Sequence, residues 1–186
     1  MKIPSSINQY FDQKTSLMNP ANIGYNFFVY GRFPLIMTKY LAALYNFDNY
    51  NDFTILGRQL SAFFDLLTVL LIIKTTKLLI GKYREANLDK FQHISAVPYW
   101  AGFFYAIAVL PIQLSHFFAV DTFLNFFMFG SFYFALRFYV GALRAMPLRY
   151  IVFSAIFFGL ALACKVTAIF ILPLNILFIL LTYVKR

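Results

Sequence analysis

The sequence predicts an all-α protein: a polytopic transmembrane helical bundle of about five spans, with an amphipathic interfacial helix in its first outer loop. Three observations carry that expectation. Of the 186 residues, 61% are hydrophobic and 12% charged, and the mean hydropathy of +0.70 belongs to a membrane protein rather than a soluble enzyme. The 25 Phe and 13 Tyr exceed what one globular core of this length hides from water. Apolar runs of the roughly 20 residues needed to cross a hydrocarbon layer about 30 Å thick alternate with clusters of Lys and Arg.

Residues 1–53 read as an extracytoplasmic loop and 54–186 as the transmembrane helical domain. Up to about residue 26 the chain is polar, with no basic stretch leading into an apolar one, so it carries neither a signal peptide nor an early anchor. The topology derived below sets this polar start outside the cytoplasm. It therefore implies a membrane helix upstream, in a longer parent protein. An amphipathic stretch over 33–45, opened by Pro34, suits the membrane interface. Spans follow at 56–80, 94–114 and 120–138. The run 150–184 is too long for one upright helix and is interrupted by Lys165 and Pro173, so it divides into two spans meeting near Lys165. Pro111, just before Gln113, Ser115 and His116, predicts a bend at a helix end.

Orientation follows from the basic residues, which short cytoplasmic loops collect. Lys74, Lys77, Lys82, Arg84 and Lys90 form one group, Arg137, Arg144 and Arg149 a second, and Lys185 and Arg186 end the chain. These mark the inside. The net charge of +9 thus reads as topology, with no nucleic acid as a partner. The single cysteine, Cys164, allows no intrachain disulfide and lies inert in an apolar run.

Five polar residues then stand at or within the membrane: Arg58, Asp65, His116, Asp121 and Lys165. Charge at depth is costly, so each is a candidate for function. Arg58 either snorkels to headgroups or clamps an anion. Asp65, two turns further along the same helix, reads as a structural partner inside the bundle. His116 is an interfacial filler or a member of the site. Asp121 either caps the helix that it opens or faces a wet cavity. Lys165 interrupts an apolar run on both sides, and either snorkels or meets a buried phosphate or carboxylate. All but Asp65 fall on the outer face. Cations and one carboxylate around a single vestibule suit a bilayer-anchored substrate with an anionic headgroup. No Gly-rich phosphate loop, Ser-His-Asp triad or HExxH supports nucleotide hydrolysis or zinc proteolysis.

Several strings resemble a known group. Asn19-Pro20, YNFFVYGRFPL at 25–35, LGRQLSAFFDLLTVLL at 56–71, AVLPIQLSHFFAVDTFLNFF at 108–127 and GLALACKVTAIFILP at 159–173 are together similar to the amino-terminal part of family 39-type membrane glycosyltransferases. That group holds the protein O-mannosyltransferases and lipid A aminoarabinose transferases, on the GT-C fold. The resemblance covers nearly the whole chain in order, and QLSHFFAVDTF is its most specific piece. It implies transfer of a hexose or mannose-like sugar from a polyprenyl-phosphate donor to an acceptor hydroxyl on the outer face. On that pattern Asp121 matches an acidic position and Asp12 a secondary acidic contributor. Lys165 and Arg58 match basic positions near the donor phosphate, and His116 matches the turn within the motif. The group's main acidic motif would lie before Met1.

The sequence thus leads to a multi-pass enzyme of the plasma membrane, a hexosyltransferase as part of its parent protein. Its partners are the lipid bilayer, the polyprenyl-phosphate-linked sugar and a protein, lipid or glycan acceptor. No cofactor is called for, and one carboxylate without clustered partners gives no basis for a metal site. Two other readings stand beside it. A transporter or flippase for a lipid-linked sugar would need polar groups and broken helices at the bilayer midplane, and an inactive truncated subunit would lack the acidic motif.

Overall fold

The computed structural model describes residues 6, 8–9, 12–16, 19–24, 30–47, 49–86, 95–141 and 148–184. Lys90, Arg144, Lys185, Arg186 and residues 25–29 of the YNFFVYGRFPL string lie outside them. The described chain is all-helical. After a 3-10 turn at Pro20–Ile23 come α1 (Phe33–Leu44), α2 (Tyr50–Ala86), α3 (Val97–Ala106), α4 (Val109–Ser115), α5 (Val120–Gly141) and α6 (Arg149–Cys164). A 3-10 turn at Val166–Ile171 then leads into α7 (Leu172–Val184). Among the described residues the one extended pairing is an isolated antiparallel bridge between Tyr30 and Lys165.

Proline sets much of this punctuation. Pro34 and Pro98 fall in the first turns of α1 and α3, where a missing N–H costs nothing and the fixed φ suits the helix. Pro173 is the second residue of α7. Between Pro34 and Pro98 the sequence holds no proline, and α2 runs unbroken for 37 residues, about 55 Å at the helical rise.

Pro111 bends the chain, but not where the sequence suggested. The break falls four residues earlier, at Ile107–Ala108, where Ala108 is extended and the axes of α3 and α4 turn by 59°. Proline at position i cannot donate to the carbonyl of i−4 and its ring clashes with it. For Pro111 that carbonyl is Ile107, so the second expected span is two short helices rather than one.

Neighbouring contacts give the directions. Ile73 packs on Gly102 and Lys77 reaches Tyr99, so α3 runs back along α2. Phe64 packs on Phe123 with ring centroids 4.7 Å apart and Lys82 lies over Tyr139, so α5 runs parallel to α2. Ser131 meets Ser154 across α5 and α6, which are antiparallel, and Asn175 meets Ser131, returning α7 to the direction of α5. Successive helical passes therefore alternate up and down.

As to membrane crossing, α5 is long and apolar enough by itself, with a mean hydropathy of 1.3 in its best window and 50% of that window buried in the bundle. The bent pair α3–α4 meets the same test jointly, while Phe33–Leu44, Arg149–Cys164 and Val166–Thr182 are apolar but shorter. Helix α2 carries Arg58, Asp65, Lys74 and Lys77 among its apolar residues. The division of 150–184 at Lys165 is as expected: α6 ends at Cys164 and Lys165 is extended, with φ −162° and ψ 136°.

Two devices hold the bundle together. One is an aromatic core in which Phe64 meets Phe123, Phe126 and Phe127, extended by Phe33 and Phe157 against Phe127. Such tilted and edge-on pairs add to plain apolar burial. The other is close approach at small residues. A Cβ on Gly130 would sit 2.1 Å from the Phe157 ring. One turn of polar contacts locks α5, α6 and α7 together: Ser131 Oγ donates to the Ser154 carbonyl at 3.0 Å, Ser154 Oγ donates to the Ser131 carbonyl at 2.9 Å, and Asn175 Nδ2 donates to Ser131 Oγ at 2.7 Å.

Candidate functional site

The construction of the site begins with a helix end. The N–H of Gly31 bonds the carbonyl of Cys164 at 2.8 Å, at the last turn of α6. Approach this close needs glycine, since a Cβ at position 31 would lie 1.9 Å from the Ala163 carbonyl oxygen. The neighbouring residues, Tyr30 and Lys165, form the antiparallel bridge. Lys165 is thereby drawn out of the helix into extended backbone, while its own N–H still bonds the Ala161 carbonyl at 3.0 Å.

From that position Lys165 Nζ donates to Asp121 Oδ1 at 3.0 Å, across 44 positions of sequence. Both side chains are partly covered, 23% and 36% exposed, and the ammonium also lies 5.1 Å from the Tyr30 ring centroid. Of the two sequence readings of Lys165, the carboxylate partner holds. Asp121 does not cap its helix. It sits one residue inside α5, in the first turn, where negative charge is favoured by the helix dipole, and its carboxylate is turned to the lysine.

The other candidates separate from this pair. Arg58 lies exposed on α2 with no partner among the described residues. Its neighbour Gly57 packs on the Phe118 ring, which places Arg58 at the same end of the bundle. The His116 ring bonds through Nδ1 to the Ile112 carbonyl at 2.7 Å, a contact within its own turn. Asp12 lies in an exposed turn where its carboxylate accepts from the Thr15 hydroxyl and from the Lys14 N–H. These bonds hold its carboxyl below the usual carboxylate range. Asp65 accepts a hydrogen bond from the Tyr105 hydroxyl at 2.8 Å, which makes it the structural partner expected, with a residue 40 positions away.

An apolar cleft of about 260 Å³ is lined by Asn125, Met128, Phe129, Phe132, Ile171 and Leu174. Asn125 is one turn along α5 from Asp121 and shares its face. The cleft lies between α5 and the start of α7, and its lining on α5 begins one turn from Asp121. Its place in the site was signalled only by that four-residue spacing. Gly31 and Tyr30 lay within a string noted for resemblance alone, and nothing local pointed Tyr105 at Asp65.

The described chain is therefore an all-α bundle with one carboxylate–ammonium pair at one end and an apolar cleft whose lining begins one turn along α5 from it. No protein-family model, curated protein or solved structure matches it.

Proposed function

We propose that the chain is a multi-pass membrane segment of a glycosyltransferase that takes a sugar from a polyprenyl-phosphate donor. The observation that carries this reading is the Lys165–Asp121 pair, one helical turn along α5 from the lining of an apolar cleft. The QLSHFFAVDTF string and its neighbours support it by resemblance. Alternation of the helical passes and the gathering of Lys and Arg at one end support a polytopic arrangement with the pair on the extracytoplasmic side.

In this reading the isoprenoid lies in the cleft and its phosphate reaches Lys165. Binding of the phosphate draws the ammonium away from Asp121 and frees the carboxylate. Asp121 then accepts the proton of the acceptor hydroxyl, whose oxygen forms a bond to the sugar C1 as the C1–O bond to phosphate breaks. The leaving polyprenyl phosphate carries the electron pair, its charge held by Lys165. Arg58, without a partner among the described residues at the same end, is available to the same phosphate, and His116 and Asp12 remain outside the chemistry.

A carrier of lipid-linked sugars is the second reading. The Asp65–Tyr105 pair and the Asn175–Ser131–Ser154 contacts deeper in the bundle favour it.

The test uses membranes from cells expressing the gene that encodes the chain, supplied with radiolabelled polyprenyl-phosphate hexose. Transfer of label to acceptor is expected, and Asp121→Asn lowers it at least about 100-fold, in the range of general-base loss. Label that crosses vesicles without changing its chemical form would instead establish the carrier.

A further inference from the structure

We propose that Arg137, Tyr150 and Arg149 form a bracket for the phosphate of an anionic phospholipid, at the end of the bundle opposite the Asp121–Lys165 pair. The proposal rests on the membrane reading above. Arg137 near the end of α5 and Arg149 at the start of α6 come from antiparallel helices to one ring. Their guanidinium carbons lie 5.0 Å and 5.1 Å from the Tyr150 centroid. Arg137 also spends one N–H on the Tyr133 hydroxyl, at 2.7 Å. Neither guanidinium meets a carboxylate among the described residues.

Two like charges gathered on one ring repel each other. The ring face attracts each but neutralises neither. What neutralises both is an anion with several acceptor oxygens, and a phosphate fits the planar forks of two arginines. The surroundings deepen the demand. Lys82 Nζ lies 3.4 Å over the Tyr139 ring without a hydrogen-bond acceptor among the described residues, and Lys77 lies 4.5 Å over Tyr99. By sequence the stretches 74–90, 137–149 and 185–186 carry ten basic residues against two acidic ones, Glu85 and Asp89.

A lipid rather than a free phosphate is indicated by what continues from the bracket. Val152, Phe153 and Ile156 follow Arg149 at three, four and seven residues, the spacing of one helix face. All three are exposed, at 56%, 44% and 51%. Charge at the head and an apolar stripe below it match a headgroup with its acyl chains.

The test is native mass spectrometry of the purified chain from micelles containing equal phosphatidylglycerol and phosphatidylcholine, after its recovery from alkali-washed phosphatidylcholine vesicles. Retained phosphatidylglycerol is expected to exceed phosphatidylcholine. Since one basic residue near a membrane surface contributes about fivefold in lipid affinity, Arg137→Gln with Arg149→Gln should weaken phosphatidylglycerol retention roughly 25-fold. Arg137→Lys with Arg149→Lys should also weaken it, because charge is kept and the forks are lost. Full retention by the lysine variant, or an equal loss from Lys74→Gln with Lys77→Gln, overturns the bracket in favour of diffuse attraction. Displacement of the lipid by inorganic phosphate or by an oligonucleotide overturns the lipid. A chain that does not stay with phosphatidylcholine vesicles overturns the membrane reading itself, whereas one that stays but shows no headgroup preference overturns only the bracket.

Discussion

At one end of the bundle a single ammonium, Lys165, meets a single carboxylate 3.0 Å away. At the other, Lys77, Lys82, Arg137 and Arg149 meet tyrosine rings. The first arrangement demands geometry. An ion pair partly withdrawn from water is favourable only when both partners are held in place, and here a glycine contact, a backbone bridge and the first turn of α5 hold them. The second demands little. A cation over an aromatic face tolerates shifts of an ångström or more and leaves its charge unneutralised. One end is built to fix a pair of groups, the other to present charge to something that arrives.

The largest expected effect tests how firmly the first end is fixed. Gly31→Ala sets a Cβ 1.9 Å from the Ala163 carbonyl, where backbone faces backbone and no flexible side chain can yield. It should destabilise the protein by about 3 kcal/mol, the upper range for overpacking, measured by denaturant unfolding of the purified protein. Gly81→Ala, near the basic end, meets nothing within 4 Å and should stabilise by up to about 1 kcal/mol from helix propensity. Equal effects at the two glycines would erase the distinction between the ends.

The ion pair comes next. Lys165→Met or Asp121→Asn alone leaves its partner unpaired, while the two together remove the mismatch. A double-mutant cycle should give a coupling of about 1 kcal/mol, discounted from the buried-pair range because both groups remain partly exposed. A coupling near zero would reduce the pair to two independent charged groups.

How much of this was readable beforehand differs between the ends as well. The all-α class, the helix after Pro34, the start of α5 and the break at Lys165 followed from apolar run length, proline and one misplaced charge. All are local signals. The meeting of Lys165 with Asp121 was open in the sequence, since a lysine in an apolar run names no partner. What decides it is Gly31, whose contact with α6 is set by tertiary approach. The break at Ile107 was misplaced because the effect of a proline falls on the carbonyl four residues upstream, a shift the residue itself does not mark. At the basic end the charges were plain; Arg149 lies beside Tyr150 on α6, but Tyr99, Tyr139 and Tyr150, the rings that Lys77, Lys82 and Arg137 meet, come from other helices, and no local signal pairs them.

Between the ends, Ser131→Ala removes the hydroxyl that serves both Ser154 and Asn175. Its loss should cost about 1 kcal/mol, the net contribution of a typical hydrogen bond, and should not depend on salt. The smallest effect belongs to the basic end. Lys77 both donates to the Tyr99 hydroxyl at 3.0 Å and lies over its ring, yet it is exposed. Lys77→Gln should therefore shift stability by only about 0.5 kcal/mol, the range of an exposed cation–π contact. Its salt dependence is the sharper observable. Removing one cation from a crowd of like charges relieves repulsion, so part of the loss is offset at low ionic strength. Near 1 M salt, where screening acts within about 3 Å, that relief vanishes and the measured cost of Lys77→Gln should rise. A cost that falls with salt would mean that Lys77 is held by an opposite charge, and the basic end would then be built on the same principle as the other.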